Sequence, residues 1–145
     1  MWKIIVLVCW MTVLSVFDLA DRRVPLFMMA AGSLAAVLQI ATSLWEKEVF
    51  MGEYLIGWLP CALFLAAAYG TGKVGYADGW LLWIVGSVLT YRQCIVSFFI
   101  SLCLISGISI LLIVMRRANR NTQLPYIPFL TASVGVQAVY LIYGG

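Results

Sequence analysis

The sequence predicts an all-α, polytopic integral membrane protein of about six transmembrane helices, and three observations carry that prediction. Of its 145 residues, 64% are hydrophobic and only 10% are charged, with a mean hydropathy of +1.03, a balance for which a water-soluble domain of this size has no use. The few charges divide the chain into six apolar stretches of membrane-crossing length. Those stretches are continuously apolar rather than alternating, which excludes the strands of a membrane barrel.

The first stretch, 4–17, extends to Ala20 if Asp18 is tolerated inside it. A cleaved signal peptide ends in a small-x-small site, whereas Val16-Phe17-Asp18 runs into Asp21-Arg22-Arg23, so this stretch reads as a retained helix. The second stretch, 24–45, stops at the charged run Glu46-Lys47-Glu48, and the third, 54–72, lies between Glu53 and Lys73. The fourth, 74–91, contains Asp78; the fifth, 93–115, lies between Arg92 and Arg116; the sixth, 121–145, follows Arg120. Connections are short, and no Pro/Ser-rich linker or internal repeat breaks the pattern, so 1–145 reads as a single transmembrane domain.

Basic residues set the orientation. Arg22, Arg23, Lys73, Arg116, Arg117 and Arg120 fall on the odd-numbered loops, and Lys3, Lys47 and Arg92 on the other side. The excess places the odd loops in the cytoplasm and both termini outside. The net charge of +3 is the ordinary topology signal and an attraction to anionic headgroups, and calls for no nucleic-acid partner.

Cys9, Cys61, Cys94 and Cys103 lie singly in or at the ends of apolar stretches, and the chain has no histidine. That spacing argues against a zinc site and leaves the cysteines as packing residues. The lack of histidine removes Ser-His and Cys-His nucleophile pairs. Any hydrolytic chemistry must rest on carboxylates.

Two carboxylates stand out. Asp18 closes the first stretch and Asp78 opens the fourth, so both fall near the cytoplasmic face. An ionisable group at membrane depth costs several kcal/mol unless it faces a protein interior or water, and it marks chemistry or transport. Carboxylates within reach of each other cannot both ionise cheaply, so a pair holds one shared proton; one member then activates water while the other protonates a leaving nitrogen. No metal or cofactor is needed. Structural alternatives exist for each: Asp18 as an i,i+4 partner of Arg22, Asp78 as a solvated helix start. Asp21 reads as a loop charge, and Glu46, Glu48 and Glu53 as surface. Trp2, Trp10, Trp45, Trp58, Trp80, Trp83, Tyr126, Tyr140 and Tyr143 read mostly as interfacial-belt or packing residues.

The local sequences resemble a known family. Phe17-Asp18-Leu19-Ala20-Asp21-Arg22-Arg23-Val24-Pro25 is similar to the first aspartate motif of the type IV prepilin peptidases. Gly75-Tyr76-Ala77-Asp78, with Leu81, Leu82 and Gly86 beyond it, resembles their GxGD motif, and Leu124-Pro125-Tyr126-Ile127-Pro128 resembles the paired-proline opening of their last helix. Ala77 stands in place of the motif's second Gly, Leu26 where an Asn or Asp usually follows the Pro, and Trp80 where a Lys usually follows the aspartate. The resemblance implies an aspartic endopeptidase of the cytoplasmic (inner) membrane with Asp18 and Asp78 catalytic. It would have no metal or other cofactor, and would remove a short basic leader from type IV prepilin or pseudopilin precursors. Pro25, Gly75, Ala77, Gly86, Pro125 and Pro128 would support the motifs. Longer relatives carry a CxxC insertion linked to methylation; with none here, no methyltransferase activity is expected. Two other classes stay open: an inactive relative acting in pilus assembly, and a small proton-coupled transporter.

Overall fold

The computed structural model describes residues 2–21, 23–47, 50–72, 75–117 and 124–144. Arg22, Glu48, Lys73 and Arg120, used above to read topology and surface, lie outside them.

Among the described residues every regular element is a helix: α1 (Trp2–Asp21), α2 (Leu26–Trp45), α3 (Met51–Gly57), α4 (Leu59–Thr71), α5 (Tyr76–Val88), α6 (Tyr91–Val114) and α7 (Ile127–Tyr143). Short connections make successive rods antiparallel. The elements start where the sequence supplies starts. Pro25 is extended and caps α2 with its carbonyl. Thr90 and Gln93 form a reciprocal capping box on α6. Pro60 and Pro128 sit in the first turns of α4 and α7, where a missing N–H costs nothing. Gly72 ends α4 in the left-handed conformation at φ 62°.

α3 and α4 are one 21-residue apolar rod, Met51–Thr71, interrupted at Trp58. Pro60 has no N–H to give the Ile56 carbonyl, and the helix breaks there. α1, α2, this rod and α6 are each long and apolar enough to cross a membrane. The molecule is a multi-pass membrane protein. Its outer surface is correspondingly apolar, with Trp45 90% and Phe27 83% exposed.

The fourth stretch differs from its expected span. α5 has 13 residues, about 20 Å at ~1.5 Å per residue, against a hydrocarbon core of ~30 Å. It is a core helix: Gly79, Leu81, Leu82, Ile84, Val85, Gly86 and Ser87 are all buried. α4 and α2 pack on two of its sides, with α1, α3 and α6 completing the shell. Apolar helices gain nothing from leaving lipid as such, so close packing must hold them together. α7 is pinned between α1 and α6: Gln137 Nε2 donates to the Gln93 carbonyl at 3.0 Å, and Thr131 Oγ1, whose proton goes to the Ile127 carbonyl of its own helix at 2.8 Å, lies 3.3 Å from the Met11 carbonyl. α6 is asymmetric. Its buried residues, Cys94, Ser97 and Ser101, all lie in its first half; beyond Ser101 no side chain is fully buried, and Ile105 still packs against the core.

Candidate active site

Asp18 lies in the last turn of α1, and Asp78 in the first turn of α5. The two helices pack together, and they do so at the end of the bundle where α1 finishes and α5 starts. The charge of Asp18 reaches the Asp78 carboxyl. Both residues are half-buried, and Asp18 Oδ2 is a buried atom with no hydrogen-bond partner among the described residues. A buried carboxylate oxygen left without a donor is costly, and such atoms in native proteins usually mark a site for water, a ligand or chemistry. Among the described residues no third His, Cys, Asp or Glu joins the pair into a metal-binding group.

The local sequence makes room for the pair. Gly75 precedes α5, and its carbonyl accepts the Asp78 N–H at 3.2 Å. A Cβ on Gly75 would lie 3.2 Å from Asp78 Oδ2, so glycine here keeps space beside the carboxyl. Ala77 packs against the core, where a methyl group is accommodated in place of hydrogen. Leu26 is 85% exposed at the head of α2, and Trp80 is 48% exposed with its ring centre 5.9 Å from that of Trp83, tilted by 52°. Two of the three departures from the motif therefore lie on the outside of the bundle. Asp21 is exposed at the end of α1, while Glu46 and Glu53 sit at the opposite end of the bundle.

Residues 5–111 match the family model described as type IV leader peptidase family, a stretch that contains both aspartates. The chain belongs to the type IV leader peptidase family. No curated protein and no solved structure matches it. The matched stretch ends before α7, so the last helix of this leader peptidase family member is read from the structure alone.

That helix brings in a residue read from sequence as belt or packing. Tyr126 is 5% exposed, and the charge of Asp78 reaches it. Its hydroxyl lies 2.8 Å from Ser101 Oγ. Ser101 spends its own proton on the Phe98 carbonyl at 2.7 Å, so Tyr126 is the donor between them. The Phe64 ring lies 5.0 Å away, centre to centre. Pro125 and Pro128 flank this tyrosine, and the Tyr126 carbonyl receives the Phe129 and Leu130 N–H groups, which fixes the entry of α7. The available signal was an aromatic hydroxyl set between two prolines at a helix start. Tyr126→Phe keeps the ring but leaves Ser101 without its donor. A thermal melt in detergent should fall by a few degrees, for about 1 kcal/mol; an unchanged melt would contradict the bond.

Proposed function

We propose that this chain is an aspartic endopeptidase that removes a short basic leader from type IV prepilin-like or pseudopilin precursors at the cytoplasmic face of the inner membrane, with 1–145 forming the peptidase domain. The observation that carries the reading is the convergence of Asp18 and Asp78 at one end of α1 and α5, one of them holding a buried oxygen without a partner. Membership of the leader peptidase family supports it.

In this reading the two carboxylates share one proton. The ionised member draws a proton from water as the water attacks the scissile carbonyl, and the protonated member gives its proton to the departing amide nitrogen. The proton titrates with the pair, so neither aspartate owns the acid or base role. The substrate's hydrophobic helix stays in the bilayer, and the largely exposed second half of α6 offers it a flank to approach. Confinement in the membrane replaces a deep soluble cleft, since it aligns the leader junction with the carboxylates before reaction.

The test is topological and chemical together. Single cysteines replacing Arg23 or Arg117 should react with an impermeant thiol reagent only from the cytoplasmic side, and one replacing Lys47 only from the outside. Processing of a co-reconstituted precursor should persist in chelator and resist serine-directed reagents. The reverse labelling pattern would put the pair in the wrong compartment, and loss of processing on chelation would remove the carboxylate mechanism.

A further inference from the structure

A pocket of about 300 Å³ opens at the end of the bundle opposite the aspartates. It lies between the start of α1, the last turns of α2, the start of α3 and the α5–α6 junction. Its volume matches on the order of ten waters at ~30 Å³ each. Lys3 and Glu53 both line it without forming an ion pair with each other. Gln39 and Ser43 stand on a third wall, joined by a 3.2 Å hydrogen bond, and Ser43 is 2% exposed. Ser87 and Val88 supply the fourth wall. They belong to the last turn of α5, where the Val85 carbonyl takes the Leu89 N–H at 2.9 Å and the carbonyls beyond it carry the negative end of the helix dipole.

The pocket thus has two poles: a cation at Lys3, and acceptors at Glu53 and the α5 terminus. Arg92 stands outside the pocket, exposed, held by Tyr91 at 2.9 Å and within the field of Glu53; at that exposure its pull is strongly screened. Trp45 at the end of α2 and Phe50 just before α3 are 90% and 81% exposed at the same end of the bundle. Exposed aromatic side chains at helix ends mark the headgroup level of a bilayer.

We propose that this pocket binds the headgroup of an ethanolamine phospholipid, with its phosphate at Lys3 and its ammonium at Glu53 and the end of α5, while the acyl chains run down the apolar outer surface. A purely anionic headgroup would meet Glu53. Choline has no N–H to give the acceptors, and a glycerol headgroup offers hydroxyls without the positive charge. This site is independent of the peptidase chemistry.

The experiment is native mass spectrometry of the full chain released from nanodiscs holding equal parts of ethanolamine, choline and glycerol phospholipids. Wild type should retain one ethanolamine lipid in preference to the other two. Lys3→Gln and Glu53→Gln should each lower that retention about tenfold, the effect of losing ~1.4 kcal/mol, with unchanged melts; Lys47→Gln, exposed at the same end, should leave it intact. Equal retention of all three lipids by wild type, or an ethanolamine preference surviving in Glu53→Gln, would overturn the site. Retention of free phosphoethanolamine in place of the lipid when the two are offered at equal concentration would overturn its assignment to a lipid.

Discussion

Asp18→Asn and Asp78→Asn should each abolish precursor cleavage while leaving the protein inserted and folded. Asn has nearly the shape of Asp but can neither share the proton nor accept one from water. Removal of general acid–base assistance alone costs roughly 10²–10⁴-fold in rate. Because the two carboxyls act as one unit, the double variant should be no slower than either single one; effects that multiplied would indicate separate roles. Asp21→Asn, at an exposed carboxylate three residues from Asp18, is the control and should cut nearly normally. Co-expression with a prepilin-like precursor and a gel of precursor size is the measurement.

The largest structural effect should come from Gly86→Val. α5 meets α3 at this point: a Cβ on Gly86 would stand 2.8 Å from the Gly57 carbonyl oxygen and 3.4 Å from Cys94 Sγ. The Gly57 oxygen already accepts the Cys94 thiol at 3.4 Å and, being backbone, cannot swing aside. Overpacking of this kind costs about 1–3 kcal/mol or more, and here it would pry α3 from the short helix that positions Asp78. Gly107→Val is the matched control, because a Cβ there meets nothing within 4 Å, and a mid-helix glycine loses little or nothing on gaining a side chain. Thermal melts in detergent should separate the two variants; equal melts would show that the α3–α5 contact is not tight.

The all-helical membrane fold was legible because charges punctuate an otherwise apolar chain. Asp18 and Asp78 stood out as candidates for the same reason, as acidic groups set in apolar stretches near basic loops. What the sequence concealed follows from what apolarity cannot distinguish. A helix buried in protein and one crossing lipid have the same composition, so α5 read as 74–91 when the structure gives Tyr76–Val88. The break at Trp58 depends on one proline a short way into a continuous apolar run, and 54–72 accordingly read as a single span. Ser101 drew no attention because serines in membrane helices commonly bond back to their own helix. Its bond to Tyr126 joins residues 25 apart in sequence, so only tertiary packing reveals that this tyrosine is buried in the bundle, within reach of the Asp78 charge, rather than in the interfacial belt. Leu26 and Trp80 illustrate the converse: as motif departures they looked consequential, and their outward positions place them away from the bundle interior.

The most direct test of the account uses purified wild-type protein reconstituted in lipid with a purified prepilin-like precursor, read by intact mass. The account predicts that the precursor loses the mass of its basic leader alone, in the presence of chelator, and that the same preparation carrying Asp78→Asn leaves the precursor mass unchanged. A precursor of unchanged mass with folded wild type, across several prepilin-like substrates, or the same cleavage by Asp78→Asn, would contradict it.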